Sequence, residues 1–232
     1  MLDEGRRLIA DDEEWQWVVE ETRGEFDHLV IGVSDPALLT PAIDAMESWN
    51  EAVCDGAWGR RAARLGERMR RAVDFDHWPA FQESFSRLAA LLAEVGARPE
   101  GEAPASITLL SGDVHHAYLA EVAFPRGSGV RSAVHQAVCS PFRNALDMNE
   151  RRAIRATLSR PVAALARMLA RAAGVEDPPI RWRFVEGPYF DNQAGTLVLD
   201  GRRATAVLDK TVAAEDSTAG ARLERVFERE LT

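Results

Sequence analysis

Apolar and polar positions along this 232-residue chain change period several times. The acidic run at 11–14 leads into Trp15, Trp17 and Val18. Acids at the head of an amphipathic stretch suit a helix N-terminus, where the backbone dipole is positive. That helix is expected to end near Gly24. Residues 28–33 (HLVIGV) form a short continuous apolar run, the pattern of a buried strand. Ser34-Asp35-Pro36 stops it, because proline disfavours ladder pairing and restricts the residue before it. From 41 to 96 the period turns helical, with one break at Gly56 and Gly59 and a new helix start at Pro79.

The second half reads differently. After a surface loop at 98–104 (RPEGEAP), a β-rich run at 106–110 stops at Ser111-Gly112-Asp113. Further β segments are expected at 118–124, 130–138 and 181–185. A helix rich in Arg, Ala and Leu fills 149–173, and Pro161 is expected to kink or split it. Runs at 196–199 and 204–208 flank Asp200-Gly201-Arg202-Arg203, which reads as a β-hairpin about an Asp-Gly turn. A final helix is expected over about 219–231. The order is strand, long helical insert, strands, helix and closing hairpin. That is a mixed α/β layout and not a regular βαβ alternation.

Composition adds limits. Net charge is -9, so no general attraction to nucleic acid or to an anionic membrane is expected. The arginine-rich stretch at 60–71 reads as the solvated face of an amphipathic helix, with Glu67 among the arginines. The two cysteines, Cys54 and Cys139, lie far apart and make neither a zinc ribbon nor a disulfide framework. A reducing cytoplasm is the expected compartment, with an export signal upstream left open. No run of about 18 apolar residues exists, so no membrane span is expected.

The candidate chemistry sits at Leu109-Leu110-Ser111-Gly112-Asp113-Val114-His115-His116, where an apolar strand runs into Gly, Asp and two His. Functional groups gather at the carboxyl ends of strands in open α/β sheets. An Asp oxygen and a neutral imidazole suit iron, zinc or manganese. The glycine lets the chain turn so that Asp113 and His115 converge. Of the other histidines, His28 reads as a strand start, His77 as a helix start and His135 as strand interior. Ser140, Arg143 and Asn144 follow a strand in Ser-Pro-Phe-Arg-Asn, and Arg143 is suited to grip a phosphate bidentately. Asn192 is similarly placed, and Trp49 and Glu51 are candidates for a cap over the cleft.

LLSGDVHHAYLAEV (109–122) resembles the last metal motif of PhoD-like (alkaline-phosphatase-D-like) metallophosphoesterases. HQAVCSPFRNALD (135–147) and FDNQAGTLVLDGRRA (190–204) resemble the segments that follow it. ESWNEAVCDGAWGRRAA (47–63) and DFDHWPAFQESF (74–85) resemble the family's helical insert. The likeness runs in order from residue 1 to about 208. It implies an α/β fold: the C-terminal half of a calcineurin-like metallophosphoesterase α/β sandwich, a single partial domain over 1–232 with a helical insert at about 41–96. By resemblance, Asp113 and His115 are metal ligands. His116, Arg143 and Asn144 are the catalytic and substrate-binding candidates, with His116 either orienting a ligand or packing. The implied cofactors are divalent or trivalent metal ions (Fe, Mn, Zn or Ca), and the implied substrate is a small phosphate ester. The superfamily's earlier motifs, D-x-H, G-D-x-x-D and G-N-H, do not occur before Gly112. The chain is therefore expected to begin in mid-domain and to bind metal weakly, with an N-terminal half or a second copy of the chain as candidate partners. The alternative implied is a non-catalytic binding or structural module.

Overall fold

In the computed structural model, residues 2–3, 6–140, 146–213 and 221–232 are described. The elements in chain order are β1 (Leu2–Asp3), β2 (Arg6–Arg7), α1 (Asp12–Glu21), β3 (His28–Gly32), α2 (Pro41–Cys54), α3 (Arg60–Ala72), a 3-10 turn (Trp78–Ala80), α4 (Gln82–Ala97), β4 (Ser106–Ser111), β5 (Ala117–Ala123), β6 (Ala133–Val138), α5 (Met148–Thr157), α6 (Arg160–Ala172), β7 (Arg181–Tyr189), β8 (Gln193–Asp200), β9 (Arg203–Ala213) and β10 (Ala221–Glu230). The chain divides into two compact units, residues 1–21, 37–91 and 149–179 in one, and 22–36, 92–148 and 180–232 in the other. Among the described residues no helix is long and apolar enough to cross a membrane.

The first unit is helical. Asp11 and Glu14 close a reciprocal cap at the start of α1: the Glu14 N–H donates to Asp11 Oδ1 at 2.8 Å, and the Asp11 N–H donates to Glu14 Oε2 at 3.2 Å. Small residues let α2 and α6 approach, with Ala42 and Ala45 packed on Ala166 and Ala170. α3 lies close on α2 at Gly66, where a Cβ would stand 3.2 Å from Cys54 Sγ and Val53 Cγ1. Asn50 Nδ2 fixes that contact by donating to the Gly66 carbonyl at 3.0 Å. With Gly66 inward, Arg60, Arg61, Arg64 and Arg68 are exposed, so α3 carries the solvated basic face expected of it. The predicted break at Pro161 is real: α5 ends at Thr157, and Pro161 sits in the first turn of α6.

The second unit is built on sheets. Five strands run in the order β3-β4-β6-β5-β7, and three more in the order β10-β9-β8. β3, β4 and β6 are parallel, while β5 pairs antiparallel with β6 and β7. The fold is thus α/β with a mixed sheet, as the order of elements predicted. β3 lies at the edge of its sheet, and Val30 is 40% exposed. That corrects the expectation of a buried strand: a continuous apolar run does not reveal how many neighbours a strand has. The β8–β9 hairpin closes with Asp200 opposite Arg203, and Gly201 takes φ +56° in the turn. The inner face of this smaller sheet packs on the larger one, Ala204 and Ala206 against Leu119, together with Leu231.

The expected C-terminal helix is a strand. β10 pairs with β9 from Ala221 opposite Ala213 to Glu230 opposite Thr205, with a register shift between Arg225 and Phe227. Val226 and Phe227 favour a pleated, half-buried surface, and β9 offers a long open edge. Long-range pairing overrides the local helical pattern of charges.

Candidate functional site

The parallel strands β3, β4 and β6 end side by side, and their carboxyl ends carry the candidate chemistry. The Val33 N–H donates to the Leu110 carbonyl at 2.9 Å, the Gly112 N–H to the Ser34 carbonyl at 3.2 Å, and the Cys139 N–H to the Ser111 carbonyl at 3.0 Å. These bonds hold the three strand ends level. Ser111-Gly112-Asp113 and Cys139-Ser140 therefore leave the sheet together.

Beyond Gly112 the backbone is strained. Asp113 has φ +63° and His115 has φ +55°, two left-handed residues that are not glycine, separated only by Val114. The Val114 N–H donates to the Gly112 carbonyl at 3.0 Å. A bond from residue i to i+2 across a residue with positive φ is the rarer, strained form of γ-turn. Each such residue costs on the order of 1–3 kcal/mol and persists only where its surroundings hold it.

The holding contacts are specific. The His115 N–H donates to Ser140 Oγ at 3.2 Å, tying the turn to the end of β6. His116 is buried, and its Nδ1 bonds the Val114 carbonyl at 2.6 Å. A carbonyl only accepts, so Nδ1 carries a proton. The imidazole lies 5.3 Å from the Tyr118 ring and 5.7 Å from the Phe190 ring, centroid to centroid. His116 thus braces the turn from below. Asp113 is exposed and His115 is half-buried.

Phe190 brings in the tight connection between β7 and β8. Asn192 belongs to it: its carbonyl accepts from the Thr211 N–H at 2.9 Å, while its Oδ1 is buried without a partner. Ser111 Oγ and Gln193 Oε1 are likewise shut from solvent with no partner among the described residues. Buried polar atoms left unpaired are rare and mark places where a ligand or a water belongs. Ser111 and Gln193 carried no distinctive sequence signal. Arg143 and Asn144 lie outside the described residues.

No family model, curated protein or solved structure matches this chain.

The remaining histidines lie away from this turn. His28 opens β3, with Nδ1 2.8 Å from Ser106 Oγ and Nε2 2.8 Å from the Gly201 carbonyl, so both ring nitrogens join strands. His77 precedes the 3-10 turn and meets buried Glu47 at 2.8 Å. His135 is buried inside β6, and burial pulls its pKa below the ordinary value. Trp49 and Glu51, considered for a cap, have roles inside the helical unit. Trp49 packs edge-on to Trp58 with ring centroids 5.5 Å apart. Both Glu51 oxygens accept from the Gln82 N–H, at 3.2 and 3.1 Å, at the start of α4.

A metal can be tested against these donors. Among the described residues no three His, Cys, Asp or Glu side chains are grouped to hold an ion. Asp113 and His115 offer two suitable donors, whereas a catalytic dication takes at least three protein ligands. The described residues alone do not fit a two-metal centre.

Proposed function

We propose that this chain supplies one part of a metal-dependent phosphoesterase centre of the PhoD-like type, with Asp113 and His115 as donors and the remaining ligands coming from outside these 232 residues. The observation that carries the reading is the pair of left-handed residues at the carboxyl end of β4. A strained turn that displays an exposed carboxylate and an imidazole, tied by Ser140 and braced by His116, is preorganised for a ligand. The two-sheet unit supports the same reading, since a metallophosphoesterase sandwich needs packed sheets with its ligands at strand ends. When bound, such metals activate a water and clamp phosphoryl oxygens. This chain's residues place two donors and fix their backbone.

The test is a manganese titration of the full chain, together with hydrolysis of bis(4-nitrophenyl) phosphate. Weak binding, lost in Asp113→Ala and His115→Ala, without turnover, is the expected result. Tight stoichiometric binding with turnover by this chain alone would overturn the claim that the centre is incomplete. The second reading is a non-catalytic binding module, which the small number of grouped donors favours. It gains if manganese binding is undetectable in the wild-type chain.

A further inference from the structure

A cavity of about 210 Å³ lies between the two sheets of the second unit. It is lined by Ser111 and Cys139, the residues that end β4 and follow β6, so it adjoins the strained turn. Exposed Gly195 and Thr196 of β8 form its rim, and buried Tyr118, Val138 and Leu208 form its floor. Leu110, Leu197 and Phe227 are among its apolar lining.

The polar inventory of the lining is short. No charged side chain contributes. The Tyr118 oxygen already accepts from Gln136 Nε2 at 3.1 Å. Burial pushes the Cys139 thiol pKa up, so it is a neutral, weakly polar group. Ser111 Oγ is itself shut from solvent, so Ser111 lines the cavity through its other atoms. Thr196 at the exposed rim is the other polar side chain, so an occupant meets mostly apolar surface with few hydrogen-bonding groups. Apolar cavities of roughly 150 Å³ in other proteins admit benzene, so this one has room for a substituted ring or a short branched chain. A sugar or a nucleobase would leave several of its polar atoms unpaired against this lining.

We propose that this cavity is a binding site for a compact uncharged organic group, the aryl or short branched alkyl portion of an alcohol, held by apolar contact with its walls. With the phosphoesterase reading, on which this step rests, the group is the alcohol portion of the phosphate ester. The site then selects esters of apolar alcohols over esters of sugars and nucleosides.

Cys139 gives a direct readout. In a Cys54→Ser background, the alkylation rate of Cys139 is followed by intact mass with phenol, with glycerol, and with phenyl phosphate with and without Mn²⁺. Phenol at ten times its Kd is expected to slow alkylation about tenfold by mass action, and glycerol to leave it unchanged. Thr196→Trp, at the exposed rim, is expected to slow alkylation by itself and to remove the phenol effect. In the unmodified chain, backbone amide shifts at Ser111 and Gly195 report the same binding independently of thiol chemistry. Protection by phenyl phosphate that strengthens with Mn²⁺ supports both the cavity and the phosphoesterase reading. Protection by phenol but never by phenyl phosphate keeps the cavity site and sinks the phosphoesterase reading. Equal failure of phenol and glycerol in both readouts makes the cavity a packing void and overturns the proposal.

Discussion

Two regions of this molecule hold ionisable side chains in opposite ways. On α2 of the helical unit, Asp44 and Glu47 are almost completely buried, 2% and 0% exposed, and Glu51 is partly so. Each sits on ordinary helical backbone and has a partner. Asp44 meets Arg167 at 2.9 Å, Glu47 meets His77 at 2.8 Å, and Glu51 caps α4. In the Gly112–His116 turn the acid is exposed, the backbone is strained, and the hydrogen bonds go to the main chain instead of to the carboxylate. Buried, paired acids on regular backbone are stability devices and fix which helices meet. An exposed acid on irregular backbone does nothing for packing, and that is why it reads as a ligand donor.

The comparison can be broken first at Arg167. Arg167→Ala leaves the Asp44 carboxyl buried and unpaired, and about 3 kcal/mol of stability should be lost in urea unfolding at pH 8. Burial already raises the Asp44 pKa to about 6. Near pH 5 the group takes a proton and the loss should shrink. An equal loss at both pH values means that Asp44 is not the group left unpaired.

The next largest effect belongs to Glu51, whose pKa burial raises to about 8. A raised acid is protonated in the folded chain where the unfolded chain has released its proton. Stability is therefore greatest below the ordinary carboxylate range, falls as pH rises from there to about 8, and levels off above it. Glu51→Gln keeps an oxygen for the Gln82 N–H and removes the titration. It should exceed the wild type in stability at pH 8.5 and match it near pH 4.5. Parallel pH curves for the two proteins would contradict this.

A smaller effect is expected in the turn. Ser140→Ala removes the acceptor of the His115 N–H and should cost about 1 kcal/mol. Its sharper signature is a change in the His115 amide and ring resonances with the helical unit untouched. Resonances that stay in place mean that Ser140 does not hold the turn.

What the sequence revealed follows the same divide. The strands at 106–111 and 117–123, the split at Pro161 and the Asp-Gly hairpin were legible, because alternation, proline and glycine act locally. The cap formed by Asp11 and Glu14 was also present in the spacing D-x-x-E. The pairing of Asp44 with Arg167 joins residues 123 apart, and no local pattern announces it. The C-terminal strand was misread for the same reason, since it depends on a partner edge in β9. At the site, residue types pointed to Asp113 and His115, but not to their conformation: neither is glycine, so positive φ was invisible. The unpaired Ser111 hydroxyl becomes visible only when the second sheet covers it.

The central claim is that the turn after β4 keeps a strained backbone in order to present Asp113 and His115 to a cation. Asp113→Gly and His115→Gly relax that backbone and remove one donor each. Thermal unfolding of the wild type and both variants, with and without millimolar Mn²⁺, tests it directly. Without metal, the glycine variants should be at least as stable as the wild type, by up to about 1 kcal/mol, since relief of strain offsets glycine's added chain entropy. With Mn²⁺, only the wild type should gain Tm. Variants that are clearly less stable, or that gain as much from Mn²⁺ as the wild type, would contradict the account.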